Sequence, residues 1–224
     1  MHLRADICWS LTVALAFTAG AAGAGGLPEG SEPENVESEW VSKDMIYNGI
    51  PMRVSRFTST RSSAEVVAFY TRQWPGQVVV NELAGKTVVG HAQGEHYITV
   101  EVSAKGRGSQ AQIGIVRMLD QKPKAAAGAD FLKPSGTQVV NDITYLDTPG
   151  RTLTMESPLS PFQSEAFYAS RLPGKGWKRD TGGSPCSMIA RQCVARYSKG
   201  SQDMTLTFHR YDQVTSIVVN QTQP

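Results

Sequence analysis

Residues 65–77 read EVVAFYTRQWPGQ and residues 163–175 read QSEAFYASRLPGK, so one motif, AFY…PG, occurs twice at a spacing of 98 residues. Sliding the chain by that spacing aligns Asp44–Gly76 with Asp142–Gly174 without a gap. Eleven of the 33 aligned positions are identical: Asp44/Asp142, Tyr47/Tyr145, Pro51/Pro149, Arg53/Arg151, Ser59/Ser157, Ser62/Ser160, Ala68/Ala166, Phe69/Phe167, Tyr70/Tyr168, Pro75/Pro173 and Gly76/Gly174. Chance at ordinary composition gives roughly two. The chain is therefore an internal duplication, and two copies are too few and too long for a solenoid.

The shared residues specify local structure. Ser62-Ser63-Ala64-Glu65 has the pattern of a capping box, in which a serine hydroxyl and a glutamate carboxylate satisfy free N–H groups at a helix start. Ser160-Pro161-Phe162-Gln163 repeats the device, with Pro161 suited to the first helical position. Both helices should stop at Pro-Gly, because proline disfavours helical geometry in Trp74 and Leu172 before it. Between cap and stop, Val66, Tyr70 and Trp74 share one helix face at i, i+4 spacing, and Tyr168 and Leu172 repeat part of it. These aromatics read as a face packed on a sheet in preference to a ligand box.

Alternating patterns surround each helix. Arg53–Ser59 and Arg151–Ser157 precede it as strands, with Ser55 and Phe57 matching Leu153 and Met155. After it, QVVVNEL is a clear strand in the first copy, while GWKRDTGG is only suggestive in the second. HAQGEH places a hairpin turn at Gln93-Gly94, and YSKGSQ places one at Lys199-Gly200. Beyond the turns, Ile98, Val100 and Val102 face one side, as do Met204, Leu206 and Phe208. The last strands are Ala111–Met118 and Val214–Asn220. The expected fold is α+β: two tandem β-α-β-β-β domains, each one helix on an antiparallel sheet, that bury faces together or join edge to edge.

Expected boundaries follow from composition. Residues 1–24 read as a cleaved signal peptide, with Arg4, a short apolar run and Ala22-Gly23-Ala24 as the cleavage site. An uncleaved anchor is the alternative. Residues 25–39 are acidic and suggest disorder. Residues 40–120 and 136–224 form the repeats, and 121–135 is a linker rich in proline, glycine and lysine. Removing Arg4 and Asp6 leaves 21 basic and 19 acidic residues, a balance that argues against nucleic acid. After cleavage no stretch is suited to cross a membrane as a helix. Cys186 and Cys193 survive cleavage and point to a disulfide in an exported protein, periplasmic or secreted. Two free thiols are the alternative, and C-x6-C without neighbouring histidines is a poor zinc signature.

Catalytic signals are sparse. There is no G-x-S-x-G elbow, SPCS has no neighbouring histidine motif, and KGRGS lacks the G-K-[ST] of a phosphate loop. His91 and His96 should face one another across the first hairpin, a weak metal candidate without a third ligand. Asp44/Arg53 and Asp142/Arg151 read as structural ion pairs bracing each copy, with a pair of anion sites as the alternative. Lys105, Arg107 and Lys199 lie at expected hairpin tips and are candidate binding residues. The sequence leans to non-catalytic binding without a cofactor. The expected partner is a protein of the cell envelope or of a secretion or pilus assembly, with homo-oligomerisation open. A small-molecule or glycan binder in the groove between domains is the second reading, and a hydrolase the third.

Overall fold

A computed structural model describes residues 27–74, 76, 78–181 and 186–222. Residues 1–26, and with them the expected signal peptide, lie outside the described residues, as do Pro75, Gln77, residues 182–185 and the final dipeptide. The elements of the first half are β1 (Glu37–Tyr47), β2 (Ile50–Ser59), α1 (Ser63–Gln73), β3 (Val78–Leu83), β4 (Lys86–Gln93), β5 (His96–Lys105) and β6 (Gly108–Arg117). Those of the second are β7 (Gln138–Tyr145), β8 (Gly150–Ser157), α2 (Pro161–Arg171), a 3-10 turn at Pro173–Lys175, β9 (Lys178–Arg179), β10 (Gln192–Lys199), β11 (Gln202–Tyr211) and β12 (Val214–Thr222).

The expectation of two tandem β-α-β-β-β domains is overturned. All twelve strands form one antiparallel sheet in the order β3-β4-β5-β6-β2-β1-β7-β8-β12-β11-β10-β9, with two short helices. One strand in each half, β1 and β7, is absent from the expected fold, and these two strands fuse the halves. β1 reads ESEWVSKDMIY, and most of its residues are exposed, so it lacks the apolar alternation that marks a half-buried strand. The halves meet where β1 pairs with β7 through Met45↔Tyr145, Ile46↔Thr144 and Tyr47↔Ile143.

Each helix forms as its sequence dictates. Ser62 accepts from the Glu65 N–H while the Glu65 carboxylate accepts from the Ser62 N–H, and Ser160 and Gln163 repeat the exchange. Both helices have a cap whose N–H returns to a tyrosine carbonyl, Trp74 to Tyr70 and Leu172 to Tyr168. Val66, Tyr70 and Trp74 pack on Phe57, Val89, Ile98, Val100, Val102 and Ile113. Tyr168 and Leu172 pack on Leu153, Met155, Met204, Leu206, Phe208 and Ile217. These are two separate cores, one per half.

Helix, sheet and a strap of irregular chain close each core. Residues 27–36, which composition suggested as disordered, run along the α1 side. Leu27 and Val36 touch the core, and the Tyr70 hydroxyl donates to the Ser31 carbonyl at 2.8 Å. The linker does the same for the second half, where Phe131 and Leu132 pack against the core around Tyr168. Gly30 and Gly128 are counterparts at the 98-residue spacing. A Cβ would lie 2.8 Å from Ile113 Cγ2 at Gly30 and 2.7 Å from Val139 Cγ2 at Gly128, so each strap needs its glycine to approach the sheet.

Candidate functional site

The face of the first half remote from α1 is an open groove of about 640 Å³. Strand alternation builds it: residues between the core positions of β2, β5 and β6 point into it. One row crosses four strands as Glu39↔Arg56↔Gln112↔Glu101. The next runs Glu37↔Thr58↔Gln110↔Ser103. Arg56 bonds Glu39 at 2.6 Å, and Lys86 bonds Glu101 at 2.8 Å. The hydrogen bond and charge of Arg56 hold the Glu39 carboxyl below its ordinary value, with a smaller contribution from Lys105. The lining is thus polar and of mixed charge, suited to an extended polar ligand and not to an apolar one.

The groove lies within the first half, not between the halves. The cavity beside the seam is about 200 Å³, lined by Ile46, Gly49, Thr144 and the alanines of the linker. The groove reaches toward β3, the free edge of the sheet, where Val79, Val80 and Leu83 are exposed.

The candidate residues are dispersed. Lys105 lines the groove, and Arg107 follows in the β5–β6 turn. Lys199 ends β10, eight strand positions from β5, roughly 38 Å along the sheet at the usual strand spacing. Lys105, Arg107 and Lys199 therefore form no common patch.

The hairpin turns lie one residue beyond their expected positions. Gln93 pairs with His96 and Lys199 with Gln202, so the turn residues are Gly94-Glu95 and Gly200-Ser201. Positive φ at Gly94 and Gly200 makes them the first turn residues, as Gly permits. The expected face-to-face His91–His96 pair is corrected by that step: His91 opposes Ile98. His91 instead stacks on Trp74, with centroids 4.7 Å apart. No cluster of three metal-ligating side chains occurs among the described residues.

Asp142 and Arg151 are ion-paired at 2.7 Å, and Asp130 of the linker grips the same guanidinium through two bonds of 2.8 Å. These hydrogen bonds, Asp142 first, raise the affinity of Arg151 for its proton. Asp44 and Arg53 are not joined in this way. Arg53 donates to the Pro28 carbonyl at 3.2 Å and lies over the Trp40 ring at 5.4 Å. A disulfide joins Cys186 to Cys193, with Cα atoms 5.2 Å apart. Among the described residues, no helix is long and apolar enough to cross a membrane.

Two surface features escaped the sequence reading: the apolar free edge at β3, and the loop inside the disulfide, where Met188 and Ile189 are exposed. Periodicity marks strands but not which of them ends a sheet. The second feature was legible as the apolar pair in SMIARQ.

Comparison with protein-family models, curated proteins and solved structures returns no match.

Proposed function

We propose that this is an exported, non-catalytic binding protein that captures an extended segment of a protein partner along β3, as a component of a cell-envelope, secretion or pilus assembly. The leader-like residues 1–24 and the Cys186–Cys193 disulfide support export. One observation carries the binding mode: the two ends of the sheet are unequal. β9 is two residues long, and its Arg179 is ion-paired to Glu165 of α2. β3 is six residues long, its outer edge is unpaired in the sheet, and its residues Val79, Val80 and Leu83 are exposed. Natural sheets blunt such edges unless they are used. An added strand gains main-chain hydrogen bonds from β3 and specificity from alternate side chains. Its groove-side residues would continue the polar rows that end near Lys86 and Glu101.

The test is in-cell crosslinking from a photoreactive residue at position 79 or 80, with Val80→Lys as the disrupting variant. Loss of the crosslinked product at an unchanged melting temperature is expected. Crosslinking from position 79 that survives both Val80→Lys and Val80→Pro, which removes an N–H directed at the free edge, would overturn the edge reading. Charge reversal at Lys105 and Arg107 then reports whether that tip contributes to capture. A second reading, a glycan or other small polar ligand, is favoured by the groove's volume and its mixed-charge rows. It requires saturable binding that Arg56→Ala and Glu101→Ala both weaken.

A further inference from the structure

We propose that the second half carries a membrane-contact tip, built by the disulfide loop and addressed to an anionic lipid surface. The duplication makes the tip conspicuous. In the first half, β3 and β4 are joined by the two residues Ala84-Gly85. In the second, the connection from β9 to β10 is longer, and the spacing between the copies rises from 98 residues at the helices to 106 at β5 and β11. The added chain contains the disulfide and the tetrapeptide Ser187-Met188-Ile189-Ala190.

The loop is held as a rigid post. Cys186 is buried in the second core, and its bond to Cys193 ties the loop to the start of β10. The Ala190 N–H donates to the Ser187 carbonyl at 3.1 Å, closing a turn with Met188 and Ile189 at its centre. Those side chains are 79% and 92% exposed. Nothing in either side chain's chemistry favours water, and the clamp prevents the loop from folding them back.

Neighbouring loops extend the same surface. Arg210 is the tie: its N–H donates to the Arg191 carbonyl at 2.7 Å, and its guanidinium donates to the carbonyls of Pro158 and Leu159. The disulfide loop, the β8–α2 loop and the β11–β12 turn are thereby locked at one end of the strands. That end also exposes Phe162, Tyr211 and Val214. Its charged groups include Arg191, Arg210 and Asp212, and the exposed Glu156 lies one row further along the strands, on the row Glu156↔Ser216↔His209↔Gln192. The corresponding end of the first half bears Lys86, Lys105 and Arg107, with Leu83 as its exposed apolar residue. The copies have therefore diverged toward apolar character at this end of the second half.

A bilayer fits this geometry better than a flat protein surface does. A turn whose two central side chains are open on nearly all sides is convex, and a flat partner leaves most of it in water. Lipid headgroups part around it. Tyrosine and phenylalanine beside the projecting pair suit the headgroup level. Arg191, exposed at the rim, suits a lipid phosphate, and anionic lipid strengthens the contact. The attachment is reversible, and it does not depend on how β3 is used.

The experiment is sedimentation of the purified mature chain with vesicles of phosphatidylglycerol mixed with phosphatidylcholine, and with phosphatidylcholine alone. Wild type should sediment with the anionic vesicles, and less so at high salt. Met188→Asp with Ile189→Asp should lower the vesicle partition constant by about tenfold or more, since apolar burial is lost at both positions. The melting temperature should not change, because neither side chain belongs to the core. Ile189→Trp should show a blue shift of indole emission on anionic vesicles. Absent binding by wild type, undiminished binding by the double variant, or an unshifted Trp emission would each overturn the proposal. So would an apolar protein pocket that depends on Met188 and Ile189 in a chain that ignores vesicles.

Discussion

Ile46 pairs across the centre of the sheet with Thr144, its own counterpart in the duplication. The flanking hydrogen bonds obey the same symmetry: the Asn48 N–H donates to the Asp142 carbonyl, and the Leu146 N–H donates to the Asp44 carbonyl. Met45 meets Tyr145, the counterpart of Tyr47, and Tyr47 meets Ile143, the counterpart of Met45, a reciprocity that is the signature of an isologous interface. The local two-fold axis runs perpendicular to the sheet at this pair. Directly opposed residues share a face, so both helices lie on the same side. The chain thus resembles two subunits joined edge to edge and then linked covalently.

The seam is short, and each half has its own core, so the seam is the weak point of cooperative unfolding. Leu146→Pro removes the donor to Asp44 while altering an exposed side chain. It should cost about 1–2 kcal/mol and broaden the thermal transition toward two steps in calorimetry. Leu146→Ala should leave the transition single. Equal effects of the two variants would show that the backbone bond does not couple the halves.

The counterpart tyrosines make a paired test. Both are fully buried, and burial raises the pKa of each phenol, so both are neutral at physiological pH. Tyr70 donates to Ser31, whereas the Tyr168 hydroxyl has no hydrogen-bond partner among the described residues. Tyr70→Phe should destabilise by about 1 kcal/mol. Tyr168→Phe should be neutral or stabilising, because it removes a buried polar group that lacks a partner. Denaturant midpoints at constant slope decide it, and equal losses at both sites would contradict the assignment.

At the start of α2, Ser160 accepts from the Gln163 N–H and Gln163 reaches back to the Ser160 N–H. Ser160→Ala should cost about 1 kcal/mol, and Ser160→Asp should restore most of it. A loss that aspartate fails to restore would point away from capping.

What was legible in the sequence was whatever local chemistry decides. The caps, the helix stops, the buried faces of β5 and β11 and the weakness of β9 all follow from residues that are neighbours in the chain. β1 and β7 were illegible because their partners, not their own side chains, make them strands. The His91–His96 geometry failed by one residue because a Gly can occupy either central turn position, and the pattern QG does not say which. The groove residues were visible as the polar half of each alternation. That they form one surface depends on β6 lying beside β2, a long-range pairing no short motif encodes.

Acid should loosen the seam before it unfolds either core. Asp147, in the β7–β8 turn, accepts from the Lys43 N–H at 2.6 Å and from the Ser42 hydroxyl at 2.9 Å, gripping β1 from across the dyad. Burial alone would raise its pKa, but the hydrogen bonds from Lys43 and Ser42 outweigh that and hold it below the ordinary 3.8. In the strap of the second half, Asp130 is likewise held below 3.8, chiefly by its hydrogen bonds from Arg151. A carboxyl whose folded pKa is depressed contributes stability that is present above its unfolded pKa and is lost as pH falls through the folded value. Stability of the wild type should therefore decline below about pH 4 with a slope that these two groups steepen. Asp147→Asn and Asp130→Asn should each lower stability at pH 7 and flatten the acid limb. In hydrogen exchange, Asp147→Asn should raise exchange first at β1 and β7, and Asp130→Asn at residues 128–133. Melting temperatures of both variants between pH 3 and 7 test the slope. An acid limb as steep as that of the wild type in both would show that neither carboxylate is linked to folding.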